Sequence, residues 1–334
     1  MKKILLYEPE RVLLIFLLLV NLSKDKIVFI TFFQKNGLKK LKGEKILIDF
    51  EKIECNIIKR SLYIRKKRIE LKNLLKEIKN KKAELYGLDH QFLGKRLFFN
   101  EEIKVIEEGT INHLDYKKFK HKGFIQNLKK IIFKILKNFG ISERVEELGY
   151  DKSIKKIYLT KNLYKKSPKE LEKKIEVIDL KELWNQKTEE EQKYILDVFN
   201  FDYNILKKIN KDTIMLFTQP LSEDGVISEE RKIEIYSKII NKNLGSSIII
   251  KPHPREITDY KKYFPNCYIM EEKYPVEILE LVGIKIKKVI TLFSSAVFGF
   301  GNDTQIQFYG TEVDEELYNR FGSCDNIMKR NAFL

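Results

Sequence analysis

The sequence predicts an α/β protein of two successive units, each a parallel sheet wrapped by helices. Short apolar runs alternate with longer helical patterns along most of the chain, which is the rhythm of parallel strands joined by crossover helices. The chain has 334 residues, about twice the ~150 of a common domain, and the rhythm restarts after a polar helix ending near residue 199. With 43% apolar and 12% aromatic residues, and only 15 Gly and 7 Pro, the composition supports packed cores and excludes a disordered or low-complexity chain.

In the first half the strand candidates are residues 4–7, 27–33, 46–50, 105–107, 157–160 and 175–180. Between them the chain is strongly basic, with 17 Lys or Arg against 7 Asp or Glu over residues 35–84. Such a run reads first as a solvated helix face and second as a face for anionic membrane. The apolar run 12–20 follows Glu8, Pro9, Glu10 and Arg11. It is far shorter than the ~20 residues that span a bilayer, and no small-residue cleavage site follows, so a buried helix is expected rather than a cleaved signal or anchor.

In the second half, strands are expected at 213–218, 247–251, 267–270, 289–293 and 305–309, with helices at 228–241 and 276–283. No repeat and no Gly/Ser-rich or Pro-rich linker marks a boundary. The division is placed between 208 and 209, giving an N-terminal unit of 1–208 and a C-terminal unit of 209–334.

The net charge of +16 suits an anionic partner. Nucleic acid is disfavoured, because no RNP-like aromatic motif, helix-turn-helix pattern or zinc spacing accompanies the charge. Cys55, Cys267 and Cys324 are far apart, which supports neither a disulfide framework nor a zinc site and fits a reducing cytoplasm. P-loop, GxGxxG, GxSxG and HExxH motifs are absent from the sequence. So is any Asp-x-Asp pair of the kind that holds a metal-bound nucleotide sugar; chemistry without a bound metal is expected.

Four segments remain, each just beyond the carboxyl end of an expected strand, where α/β sheets place ligands. Val105-Ile106 runs into Glu107-Glu108-Gly109, and a strand-end Glu facing a cleft suits a general base. Thr218-Gln219-Pro220-Leu221 leads to Glu223 and Asp224 ahead of a helix that Ser228 would cap. Ile250-Lys251-Pro252-His253-Pro254-Arg255 fixes a His between two prolines beside two cations, a combination suited to a phosphate and to charge developing on a leaving group. Leu292-Phe293 gives way to Ser294 and Ser295 at the start of a short helix, where hydroxyls and amides favour anions. Taken singly, each also reads as ordinary structure: an acidic turn, two helix caps and a structural His.

Taken together, the four segments resemble the bacterial sialyltransferases, in particular the lipooligosaccharide sialyltransferases of glycosyltransferase family 52, with the capsule polysialyltransferases as relatives. Those enzymes carry a D/E-D/E-G motif, an HP motif and an SS/T motif in this order, matched here by Glu107-Glu108-Gly109, His253-Pro254 and Ser294-Ser295. Lys251 completes a K-x-H-P form. Glu277, in Pro275-Val276-Glu277-Ile278-Leu279, resembles their nucleotide-ribose Glu. The N-terminal strand with its apolar helix and the Thr218–Leu221 segment extend the likeness to about residues 4–320.

The resemblance implies a GT-B fold of two Rossmann-like domains facing a central cleft. It implies an inverting, metal-independent transfer of sialic acid from CMP-sialic acid to a glycan hydroxyl, with no cofactor. His253 would stabilise the CMP phosphate, assisted by Ser294 and Ser295, while Glu277 would hold the ribose; Lys251 and Pro254 would complete that side. The base would be Glu107 or Asp224, with Glu108 and Glu223 behind them; Glu107 is the closer match to the motif. The partners implied are a lipid-linked glycan, a second copy of the chain in a homodimer and, through the basic helices, the cytoplasmic face of the inner membrane. Two other readings stay open: a GT-B transferase with another nucleotide sugar, and a non-catalytic basic binding protein.

Overall fold

The apolar runs of the N-terminal half become seven parallel strands. The computed structural model describes residues 1–7, 9–31, 39–48, 57–89, 97–98, 101–109, 149–164, 167–210, 212–271, 274–301 and 303–323. The chain divides into two units, Met1–Val198 and Phe199–Leu334. In the first, β1 (Lys2–Tyr7), β2 (Lys26–Thr31), β3 (Glu44–Leu47), β4 (Ala83–Gly87), β5 (Ile103–Ile106), β6 (Ile154–Thr160) and β7 (Ile175–Ile178) lie in the order β3-β2-β1-β4-β5-β6-β7. The ends of the strands expected at 27–33 and 46–50 fall outside the described residues.

One face of this sheet offers Ile4, Leu6, Val28, Ile30 and Leu85 to Leu74, Leu75 and Ile78 of the helix Lys72–Lys79. That helix is amphipathic: Lys72, Lys76 and Lys79 stay in water, as the solvated reading of the basic stretch expects. The apolar run near the N-terminus forms the helix Glu10–Leu19, whose residues Val12 to Leu18 are all buried. Its Phe16 meets Phe29 and Tyr86 edge to face, at 6.1 and 5.3 Å between centroids. Among the described residues no helix is long and apolar enough to cross a membrane.

Strand β4 was not expected, because Glu84 interrupts its apolar pattern. In the sheet Glu84 stands opposite Lys3 of β1 and accepts hydrogen bonds from Lys3 Nζ (2.5 Å), Lys104 Nζ (2.6 Å) and the Tyr86 hydroxyl (2.8 Å). A polar position is thereby satisfied across three adjacent strands.

In the second unit, β8 (Ile214–Phe217), β9 (Ile248–Lys251), β10 (Tyr268–Ile269), β11 (Lys288–Thr291) and β12 (Gln305–Phe308) form a parallel sheet in the order β10-β9-β8-β11-β12. Strands β8 and β9 are buried along their whole length, which is why they read as unbroken apolar runs. The chain builds outward from β8 to one side, then returns to place β11 on the other. This order makes a topological switch point between β8 and β11, where open α/β sheets bind ligands. The helix Glu229–Asn241 starts at Ser228, whose hydroxyl accepts from Arg231 N at 3.2 Å.

The division at 198/199 lies ahead of the 208/209 read from the sequence. Phe201 packs on Tyr274 (5.4 Å between centroids) and Asp202 accepts from the Tyr268 hydroxyl at 3.0 Å, so these residues join the second unit.

The Glu84 network gives stability a defined acid limb. Burial alone would raise this carboxyl, but the hydrogen bonds from Lys104, Lys3 and Tyr86 outweigh it and bring it from 4.5 down to about 2. A carboxyl depressed in the folded state contributes stability that is present above its unfolded value and lost as pH falls through the folded one. Glu84→Gln is expected to cost about 1–2 kcal/mol at pH 7 and to flatten the decline between pH 4.5 and 2; urea unfolding of parent and variant across that range checks both.

Candidate functional site

The switch point of the C-terminal sheet gathers three of the expected segments. Phe217, Lys251 and Thr291, the last residues of β8, β9 and β11, are level in register, and neighbouring strands run ~4.8 Å apart. The loops that follow them therefore start side by side.

After β9, His253 sits between Pro252 and Pro254. Its backbone N donates to Glu256 Oε2 at 2.5 Å. The Glu256 side chain is fully buried and also accepts from Thr218 Oγ1 (2.6 Å), just past β8, and from the Tyr260 hydroxyl (2.5 Å). His253 Nδ1 accepts from Arg255 N at 3.2 Å, which leaves Nε2 to carry the proton of the neutral ring. Burial first, then the neighbouring Arg255, lowers the imidazole below its ordinary 6.5. At neutral pH the free site thus presents a neutral N–H donor. Lys251 is buried with its ammonium 5.4 Å from the centre of the Tyr274 ring, whereas Pro254 is exposed.

After β8, the two adjacent carboxylates differ sharply. Glu223 accepts from Lys232 Nζ (2.9 Å), Ile257 N (2.9 Å), Thr258 Oγ1 (3.2 Å) and Ser222 Oγ (3.1 Å). Burial would raise it, but the bonds from Ile257 N and Lys232 prevail and set it at about 2. Such a carboxylate has little appetite for a proton. Asp224 is 37% exposed and is gripped by both terminal nitrogens of Arg255, Nη1 on Oδ1 and, at 3.0 Å, Nη2 on Oδ2. Arg255 links the two loops, with its amide on His253 and its guanidinium on Asp224.

After β11, Thr291 Oγ1 donates to Phe217 O (3.1 Å) and accepts from Ser294 N (3.1 Å). Ser294 caps the 3-10 helix Ser295–Gly299, accepting from Ala296 N at 3.3 Å, and Ser295 is exposed. Phe293 N donates to Gln219 Oε1 at 3.3 Å, tying this turn to the loop after β8. Glu277 opens the helix Glu277–Leu281 and is buried against Gly299. A Cβ at residue 299 would stand 3.0 Å from Glu277 Oε1 and 3.0 Å from a Val276 methyl, so only glycine leaves this carboxylate where it is.

The N-terminal motif belongs to the first unit, and its first carboxylate is buried. Glu107 follows β5 with no exposure. Its Oε2 accepts from Thr160 N (2.7 Å), and its Oε1 from Thr160 Oγ1 (2.8 Å) and from Arg11 Nη2 (2.6 Å). Arg11 Nη1 also donates to Glu107 O at 3.2 Å. The carboxylate fastens β5, β6 and the N-terminal helix together. Glu108 beside it is half-buried. Sequence reasoning did not anticipate Arg11, Thr160, Lys232, Arg255 as a bridge, or Glu256.

The family model of glycosyltransferase family 52 matches residues 25–317. The chain belongs to glycosyltransferase family 52. An uncharacterized protein of Haemophilus influenzae is 35% identical over 97% of this chain and 99% of its own length. Among solved structures, the GT-B domain of a Photobacterium damselae sialyltransferase superposes with a TM-score of 0.63 at 13% identity, covering 99% of this chain and 97% of that one. A 2,6-sialyltransferase of Photobacterium sp. JT-ISH-224, bound to CMP and lactose, gives 0.62 at 13% identity over 100% and 76%. The α-2,3-sialyltransferase of Photobacterium phosphoreum gives 0.59 at 15% identity over 99% and 96%. At these identities the likeness establishes the fold, the GT-B pair of parallel-sheet α/β domains, and family membership makes this chain a glycosyltransferase.

The close approach at Gly299 is testable by itself. Gly299→Ala is expected to destabilise by about 1–3 kcal/mol through overpacking, and by less in a Glu277→Ala background, where one of the two close contacts is gone. Thermal unfolding of the two singles and the double variant measures the coupling.

Proposed function

We propose that this glycosyltransferase moves sialic acid from CMP-sialic acid to a hydroxyl of a cell-surface glycan, with inversion and without a bound metal. The observation that carries the reading is His253, an imidazole fixed between two prolines in the loop after β9, with the Ser294 turn after β11 two strands along the same sheet edge. The acceptor oxygen attacks C2 of the sialyl group, the bond from C2 to the phosphate oxygen breaks, and CMP departs with that electron pair. His253 Nε2–H donates to the phosphate as its charge grows, Ser294 and Ser295 add hydroxyl donors, and Glu277 accepts from the ribose. Metal independence is supported by the lack of an Asp-x-Asp pair in the sequence and by side-chain donors that offset the phosphate charge.

In this reading the base is Asp224 rather than Glu107. It lies on the loop bonded to that of His253 and is exposed, whereas both oxygens of Glu107 are occupied by Thr160 and Arg11. Arg255 holds Asp224 in the free protein, and an anionic donor competes for that guanidinium, leaving the carboxylate to take the proton of the acceptor hydroxyl.

Transfer to lactose from CMP-sialic acid is expected to persist in excess EDTA and to fall at least ~100-fold in His253→Ala. Absence of CMP release by the parent enzyme overturns the donor; loss in EDTA that Mg²⁺ restores overturns metal independence.

Asp224→Asn is expected to lower turnover by roughly 10² to 10⁴ with CMP affinity nearly unchanged. Glu107→Gln, which leaves Arg11 without its buried counter-charge, is expected to act through stability. Steady-state kinetics, CMP titration and thermal unfolding of both variants separate the two roles, and a turnover defect confined to Glu107→Gln would reverse them.

A further inference from the structure

Lys232 occupies a position that disfavours lysine twice over. Its side chain has no solvent exposure, and it lies in the first turn of the helix Glu229–Asn241, the positive end of the helix dipole. Three carboxylates compensate: Glu223 at 2.9 Å, Glu229 at 3.0 Å and Glu256 at 3.8 Å. A fourth contact, 2.5 Å from Nζ to Thr258 Oγ1, reaches the loop after β9. Buried ion pairs are weak sources of stability, since apolar replacements of similar volume often do as well; their better-attested use is to fix register.

The register fixed here is that of the two loops bearing Asp224 and His253. Glu223 immediately precedes Asp224 and, besides binding Lys232, accepts from Ile257 N across the gap. Glu256 holds His253 by its backbone N. A continuous chain of charge and hydrogen bonds thus runs from the loop after β8 through one ammonium to the loop after β9. Thr218 Oγ1 on Glu256 also joins these loops, and so does Arg255, whose side chain is exposed and, in the proposed transfer, lets go of Asp224 when the donor binds.

We propose that Lys232 is a positioning residue that keeps Asp224 and His253 in register while Arg255 turns to the anionic donor. The assignment rests on the sialyl-transfer reading. Lys232 touches no substrate; it acts through Glu223 and Glu256. Its removal should therefore cost turnover rather than donor affinity.

The test uses the full chain with Lys232→Met, which keeps length without charge, read by amide hydrogen exchange and by steady-state transfer from CMP-sialic acid to lactose. Exchange in residues 218–225 and 253–258 should accelerate together by about tenfold or more, because Glu256 and Glu223, the acceptors of His253 N and Ile257 N, lose the ammonium they share. The kcat should fall at least ~10-fold, with the donor KM within about threefold of the parent. Should Lys232→Met fail to fold, Glu223→Gln, which keeps a carbonyl for Ile257 N, reads the same link and should shift kcat in the same direction. Parental exchange in both loops, parental kcat, or a loss borne by donor KM overturns the proposal. Loops that loosen together in a protein whose parent form transfers no sialic acid would overturn the donor assignment and leave the link between the loops standing.

Discussion

The C-terminal site depends on one buried carboxylate. Glu256 has no exposed side-chain surface, and an uncompensated charge there would carry a large desolvation cost. Burial is the dominant influence and raises its carboxyl above 4.5, against the bonds from Thr218, Tyr260 and His253 that favour the charged form. To retain these bonds the chain must bring the end of β8, the His253 loop and the following helix to a common point. The aromatic packing around it follows: Tyr260 stacks on Phe264 (18° between planes) and meets Tyr236 edge to face, while Tyr236 accepts from Gln219 N at 2.9 Å. Displacing Glu256 would therefore disturb the loops after β8 and β9 together.

Burial also sorts the carboxylates, and in an order other than the one the motif pattern gives. Glu107 and Glu223 are both saturated, one by Arg11 and Thr160, the other by Lys232 and Ile257 N. Each spends its charge joining elements. Asp224 is 37% exposed and is held by the exposed Arg255. The motif locates a family's acidic residues along the chain, but partners distant in sequence decide which of them are saturated and which stay exposed.

Much of the C-terminal unit was legible. Strands β8 and β9 are buried on both faces, so their sequences are plainly apolar, and Ser228, Ser294 and the Pro-flanked His253 announce their local geometry through caps and fixed backbone angles. The rest was hidden because its signal is not local. Glu84 reads as a break until Lys3 and Lys104 are seen on the adjoining strands. Residues 175–180 read as one strand, but Asp179 accepts from the amides of Lys181 and Glu182 and starts a helix at Leu180. Arg11 and Glu107, or Thr218 and Glu256, meet only after folding. Lys232 alone left a trace: it falls at helical spacing from Ile235, Tyr236 and Ile239, all buried, a lysine in an apolar stripe.

The loop around His253 has another consequence. Pro252 and Pro254 have no amide hydrogen, His253 N is committed to Glu256, Arg255 N to the imidazole, Glu256 N to His253 O, and Ile257 N to Glu223. Every backbone donor from 252 to 257 is missing or spent. Glycine-rich phosphate loops grip anions with main-chain amides that neither titrate nor rotate. An anion meeting this loop would find side chains instead, and side chains can change protonation or swing away, so any hold the loop had on a phosphate would be one it could release.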